Sequence, residues 1–137
     1  MQEQHTTIQT ADGAMNTFIT CPEEGGPYPA VIFYMDAPGK REELHDMARR
    51  IATVGYYVVL PNLYYRDVSE FHLGMPDATR ERMRELMDNL SNAVVCEDTR
   101  AILAFLEGEK LASHGPVGAV GYCMSGPFVF AAAAEFP

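Results

Sequence analysis

The sequence has few basic residues, few cysteines and no long apolar run, and each shortage excludes a class of function. Ten lysines and arginines stand against 19 acidic residues, which gives a formal net charge of −9. Because nucleic acids and anionic membrane surfaces attract a basic surface, we expect neither of them as a partner. The apolar stretches are interrupted by glycine, proline and charged residues, and none is long enough to cross a bilayer.

Only three cysteines are present, and they are far apart in the chain. Cys21, Cys96 and Cys123 match neither a zinc-binding pattern nor a redox C-x-x-C pair, so we expect free thiols, no metal and no other cofactor. Residues 1–11 are polar and lack the apolar core of a signal peptide. Together, these features predict a cytoplasmic protein.

What the sequence does contain is an alternation of apolar runs with amphipathic stretches, which is typical of an α/β layer fold with a mainly parallel sheet. Weakly alternating segments on either side of Asp12-Gly13 predict an N-terminal β-hairpin. Further strands are predicted at 30–35, 56–60 and 117–120, and helices at about 44–52, about 78–90, about 93–106 and from about residue 126. The 137 residues are enough for one domain.

The most informative stretch runs from Pro116 to Gly126, where the last predicted strand turns directly into an alanine-rich helix. Gly121 and Ser125 stand two residues before and two residues after Cys123, which is the spacing of small residues in a nucleophile elbow. A side chain at the tip of such a turn faces free N–H groups of the following helix. These groups favour a thiolate and stabilise a developing oxyanion. We therefore predict that Cys123 is a nucleophile.

The same stretch does not match the sequence patterns of two other kinds of glycine-rich binding site. Gly121 and Gly126 have the spacing of a phosphate-binding loop, but Pro127 and Phe128 stand where lysine and serine or threonine are required. The glycines also fail to match the G-x-G-x-x-G dinucleotide fingerprint. The remaining alternative for Cys123 is a small buried thiol that packs inertly between strand and helix.

These residues resemble the dienelactone hydrolase family of the α/β-hydrolase fold. The matching stretches are residues 30–39, residues 55–64 and the elbow, where cysteine in place of the common serine is the most specific feature. The resemblance implies a three-layer sandwich in which Cys123 attacks a small-molecule lactone or ester and forms an acyl-enzyme. It also implies an oxyanion hole made by the backbone N–H groups of Ala37 and Met124, with Asp36 as an acid that modulates the thiol.

The resemblance covers only the first part of a family domain. In α/β-hydrolases the catalytic acid and histidine follow the nucleophile, but no histidine or aspartate follows Cys123 in this sequence. We expect His45 and His72 to be solvated surface residues and His114 to lie at the opposite edge of the sheet. Residues 1–137 are therefore predicted to be a single, truncated α/β-hydrolase domain without the C-terminal strands and helices. Alone it would be nearly inactive, and a missing C-terminal portion or a homo-oligomer would complete it.

Two further functions stay open alongside hydrolysis. One is a non-catalytic α/β module that binds a small carbonyl compound or a protein partner. The other is a redox-sensing thiol, which the lack of a resolving cysteine near Cys123 disfavours.

Overall fold

A hairpin around the Asp12-Gly13 turn begins a five-stranded sheet in the computed structural model, which describes all of residues 1–137. The strands are β1 (Gln2–Thr10), β2 (Gly13–Cys21), β3 (Ala30–Tyr34), β4 (Tyr57–Pro61) and β5 (Gly118–Gly121). Their spatial order is β1-β2-β4-β3-β5, in which β2 is antiparallel to both neighbours while β4, β3 and β5 are mutually parallel. The helices are α1 (Glu42–Thr53), α2 (Arg80–Asp88), α3 (Asn92–Glu107) and α4 (Gly126–Glu135).

Helices lie on both faces of the sheet because the central strands are apolar on both sides. Tyr34 of β3 points toward α3, where its hydroxyl lies 2.7 Å from Oγ1 of Thr99. Val31 of the same strand faces the other side, in a groove shared with Ile51 of α1. All five residues of β4 are buried. The predicted three-layer α/β fold class is confirmed, and the sheet is mixed because the hairpin contributes its two antiparallel pairings.

Local sequence signals account for the ends of the helices. The side chains of Thr79 and Ser91 cap α2 and α3 by accepting hydrogen bonds from backbone N–H groups of the first turns, at 3.0 and 3.1 Å. Helix α1 is followed by Gly55, whose φ of 104° is accessible mainly to glycine. Each predicted helix is present, and its ends lie within a few residues of the sequence prediction.

The last strand is apolar in sequence, which predicts a buried strand at 117–120, but it is shifted by one residue and is not buried. It spans Gly118–Gly121 rather than 117–120, and none of its residues is buried. One edge of β5 pairs with β3, and no strand lies at its other edge. The flanking Val117 and Tyr122 are 37% and 51% exposed, and Phe130 of α4 is 79% exposed. An apolar run predicts a strand, but only its pairing partners decide whether that strand is buried.

Two other parts of the chain differ from what their local sequence indicates. The turn-rich residues 21–29 predict a turn at Cys21, but Cys21 is the last residue of β2 and is buried. The sequence indicates a polar segment after β4, yet Leu63, Tyr64 and Tyr65 in it are buried. Tyrosine has an apolar ring as well as a hydroxyl, so a buried hydrogen-bond partner lets it enter the core.

Candidate active site

The parallel pairing of β3 with β5 brings the predicted site residues to one edge of the sheet. Tyr34 pairs with Gly121 at the carboxyl ends of the two strands. Asp36 and Cys123 each follow two residues after that pair, and Ala37 and Met124 each follow three residues after it. In open α/β sheets, ligands bind beyond the carboxyl ends of the strands. The structure thus places all four residues at the end of the sheet where a site is expected.

The chain makes a sharp turn at Cys123. This residue has a φ of 57°, and no other non-glycine residue has a positive φ. A left-handed conformation at a residue with a side chain is strained, and such strain is concentrated at functional sites. Cys123 is exposed, so its thiol is not sealed in the core as the packing alternative requires. A 3₁₀ turn, Cys123–Ser125, separates the bend from α4, where sequence analysis expected the helix directly.

The two small residues of the elbow fit for different reasons. A Cβ atom at Gly121 would lie 2.9 Å from the carbonyl oxygen of Ser125 and 2.9 Å from a methyl group of Val129. Glycine is therefore required for the close approach of strand and helix. Ser125 is completely buried, and its hydroxyl donates a hydrogen bond to the carbonyl oxygen of Met35. This bond ties the elbow to the residue that follows β3.

The loop after β3 presents an unpaired backbone donor. Ala37 is buried, and its N–H group donates to no acceptor within the chain. The loop turns through Gly39, which has a φ of 99° and lies so close to the backbone of Phe71 that a Cβ atom would be 2.2 Å from its carbonyl oxygen. The Pro38 carbonyl accepts a hydrogen bond from the N–H of Leu73 at 2.8 Å. The loop is thus fixed while one of its N–H groups stays available.

The carboxylate of Asp36 is engaged by an arginine that sequence analysis did not single out. Two nitrogen atoms of Arg41 donate to its two oxygen atoms, at 2.7 and 3.1 Å. This hydrogen bond raises the pKa of the Arg41 guanidinium. The five-residue separation and the extended backbone at Arg41 are not a recognisable motif, so the pair was not apparent from the sequence.

A buried tyrosine touches both halves of the site and was also missed. The Tyr64 hydroxyl donates to the carbonyl oxygen of Ala37 at 2.8 Å, and its oxygen lies 3.5 Å from Sδ of Met124. Burial raises the pKa of the Tyr64 phenol above its usual range, and the charges of Asp36 and Cys123 raise it further. The phenol therefore remains a neutral donor. The only sequence signal was its position shortly after β4, a parallel strand that ends at the same edge of the sheet.

No histidine hydrogen-bonds to this cluster. The prediction that His45 is a solvated surface residue is wrong, since its side chain is only 12% exposed and its ring stacks on Phe18 at 4.4 Å. Burial lowers the pKa of His45, and its Nε2 atom has no hydrogen-bond partner. No group of three or more His, Cys, Asp and Glu side chains is arranged to hold a metal ion. None of the helices combines the length and the apolar character that a membrane-spanning segment needs.

Comparison with known proteins gives relatives that cover nearly all of this chain. A protein of Methylorubrum extorquens, provisionally named carboxymethylenebutenolidase, is 30% identical over 132 residues, which make up 95% of this chain and 44% of that protein. The carboxymethylenebutenolidase of Pseudomonas putida is 27% identical over 139 residues, covering 98% of this chain and 57% of that enzyme. The chain spans about half the length of these curated relatives.

A solved structure has the same fold. The crystal structure of a provisionally named dienelactone hydrolase from Klebsiella pneumoniae aligns with a TM-score of 0.78 and 22% identity, over 93% of this chain and 53% of that one. In addition, the sequence model of the dienelactone hydrolase family matches residues 15–137. The predicted family resemblance is therefore confirmed, and the chain belongs to the dienelactone hydrolase family.

Proposed function

We propose that this chain supplies the nucleophile and the oxyanion hole of a hydrolase that cleaves a small-molecule lactone or ester. The observation that carries the proposal is the exposed Cys123 at a strained bend, next to a loop whose Ala37 N–H has no partner. An exposed thiol beside unpaired backbone donors is the arrangement that acyl transfer needs. Membership of a hydrolase family supports the same chemistry.

The proposed reaction begins at the sulfur atom. The Cys123 thiolate attacks the carbonyl carbon, a C–S bond forms, and the carbonyl π electrons move to the oxygen. The N–H groups of Ala37 and Met124 stabilise the resulting oxyanion. When the oxyanion collapses, the C–O bond of the ester or lactone breaks and the alcohol oxygen takes up a proton from the solvent. Water then attacks the thioester and the C–S bond breaks, which gives the carboxylic acid and the Cys123 thiolate and returns one proton to the solvent.

Asp36 acts on the thiol through the ion pair with Arg41 in this proposal. An unpaired carboxylate beside Cys123 would disfavour a second negative charge on the sulfur. The bidentate contact with Arg41 balances the charge of Asp36, so the thiolate does not face an isolated anion. Arg41 thereby pairs the charge of Asp36 at the edge of the sheet where Cys123 lies.

We also propose that residues 1–137 form one incomplete domain, whose base and orienting acid lie in polypeptide that is not in this sequence. The open edge of β5 and the exposed Phe130 offer a surface against which further strands and helices would pack. A groove of about 660 Å³ between α3, α4 and β5 lies on this surface. The relatives, about twice as long, support this proposal. The three free thiols fit a cytoplasmic location.

The test of the nucleophile is a pre-steady-state burst with p-nitrophenyl acetate. We expect close to one equivalent of p-nitrophenol per chain, followed by slow turnover because the base is missing. Cys123→Ala should abolish the burst, whereas Cys96→Ala, the matched control on α3, should retain it. A burst that survives in Cys123→Ala would refute the assignment. No burst in the unaltered chain would favour the non-catalytic binding module instead.

The test of the missing base is turnover. Extending the chain with the downstream coding sequence, or adding it as a second polypeptide, should raise steady-state ester hydrolysis by about 10²-fold or more. A Cys123-dependent turnover by residues 1–137 alone that matches that of full-length relatives would contradict the proposal.

A further inference from the structure

The two halves of the proposed oxyanion hole lie in the segments that follow two different strands, and one buried side chain contacts both. Ala37 follows β3, and Met124 follows β5. The hydroxyl of Tyr64 donates to the Ala37 carbonyl at 2.8 Å, while its oxygen is 3.5 Å from the Met124 sulfur. A phenol has a single proton, so the bond to Ala37 is the hydrogen bond and the sulfur is a packing contact.

Tyr64 is itself held in place. Only 1% of the residue is exposed, and its backbone N–H donates to the side-chain oxygen of Asn62 at 3.0 Å. Asn62 is buried as well, and its amide nitrogen bonds to Asn16 at 3.0 Å. The ring of Tyr64 meets that of Phe71 edge-on, with centroids 6.0 Å apart. The hydroxyl therefore occupies a fixed point beneath the two loops.

A bond to the Ala37 carbonyl restrains the N–H group of the same residue. The following Pro38 favours extended backbone conformations at Ala37, since the proline ring clashes with the Cβ of a preceding residue in the helical region. With the carbonyl held by Tyr64, the remaining rotation of Ala37 is restricted, and so is the direction of its N–H group. An oxyanion donor that is misplaced by about 1 Å costs about 10²-fold in rate.

We propose that Tyr64 is a positioning residue that holds the Ala37 N–H in register with the Met124 N–H, without touching the substrate. This inference rests on the proposed function, because it concerns the oxyanion hole of that reaction. Removing the hydroxyl leaves the Ala37 carbonyl unpaired in a buried site and frees the loop to move. We expect the loss of the hydroxyl to slow only reactions that develop negative charge on a carbonyl oxygen.

The experiment compares two reactions of the same thiol in the Tyr64→Phe chain. Acylation by p-nitrophenyl acetate passes through an oxyanion, whereas alkylation by iodoacetamide is a displacement at carbon that needs no oxyanion hole. We expect the acylation rate to fall by about 10- to 100-fold, with the alkylation rate changed by less than about twofold. Tyr65→Phe is the matched control, since the Tyr65 hydroxyl bonds to Asp98 at 2.7 Å instead, and it should leave the ratio of the two rates unchanged.

The outcomes separate this inference from the proposed function. An unchanged acylation-to-alkylation ratio in Tyr64→Phe, with the unaltered chain acylated normally, would overturn the positioning role alone. An equal fall of both rates, together with a lowered denaturation midpoint, would overturn it too, because the residue would then serve only the fold. Failure of the unaltered chain to be acylated at Cys123 would overturn the proposed function and this inference with it.

Discussion

Substituting Gly121 by alanine tests whether the elbow depends on close packing of β5 against α4. The new Cβ atom would lie 2.9 Å from the Ser125 carbonyl oxygen, 2.9 Å from Cγ2 of Val129 and 3.1 Å from Cβ of Ser125. The valine methyl group can rotate away, but Ser125 cannot move, because its hydroxyl is bonded to the carbonyl of Met35. The strain must therefore be relieved by displacing the elbow backbone. We expect Gly121→Ala to lower the free energy of unfolding by about 1–3 kcal/mol.

The control is Gly108, which follows α3. A Cβ atom at Gly108 would meet no atom closer than 3.7 Å, which is an ordinary van der Waals contact, and its φ is −91°. Alanine adopts this conformation without strain and loses less conformational freedom on folding than glycine, so Gly108→Ala should be neutral or stabilising. Urea denaturation followed by far-ultraviolet circular dichroism measures both. Equal stability of Gly121→Ala and the unaltered chain, within about 0.5 kcal/mol, would refute the packing argument.

Two further predictions concern the loop after β3. Gly39→Ala should cost more than about 3 kcal/mol of unfolding free energy, because the Cβ atom would lie 2.2 Å from a backbone oxygen and φ is 99°. Gly55→Ala should cost only about 1–2 kcal/mol of unfolding free energy, because Gly55 has a φ of 104° but a Cβ atom there would meet nothing within 4 Å. Equal losses of unfolding free energy for the two variants in urea denaturation would contradict the close contact of Gly39 with the Phe71 backbone. Arg41→Gln should slow alkylation of Cys123 at pH 7 by about two- to tenfold, because the neighbouring carboxylate loses its partner. The exposed Arg50→Gln is its control, and equal alkylation rates in both variants would exclude the proposed influence of the ion pair.

The parts of the fold that local residue patterns encode were predictable. The Asp12-Gly13 pair predicts the hairpin, because a tight turn needs a residue that tolerates positive φ, and Gly13 has a φ of 132°. The apolar stripe of α1 and the glycine that follows it define that helix. The small residues around Cys123 predict the bend for a steric reason, since a Cβ atom at Gly121 would lie 2.9 Å from the Ser125 carbonyl oxygen.

The features that depend on distant parts of the chain were not predictable. Tyr64 lies in a segment without apolar periodicity, and its burial follows from partners on the loop after β3 and on the elbow. His45 lies on a charged helix, but β2 supplies the Phe18 ring on which it stacks. The exposure of β5 depends on the absence of a strand beside it. Single-sequence patterns carry no information about such pairings.

The central claim is that Cys123 presents an accessible and reactive thiol at the elbow. The most direct test measures the alkylation rate of each of the three cysteines between about pH 6 and 10, with the modified peptides identified by mass spectrometry. Burial raises the pKa values of Cys21 and Cys96, so their thiolate fractions, and hence their rates, rise only at higher pH. We predict that at pH 7 iodoacetamide modifies Cys123 at least about tenfold faster than Cys21 or Cys96. The ratio of these rates should become smaller as the pH increases. Equally slow modification of all three thiols at pH 7 would contradict the account.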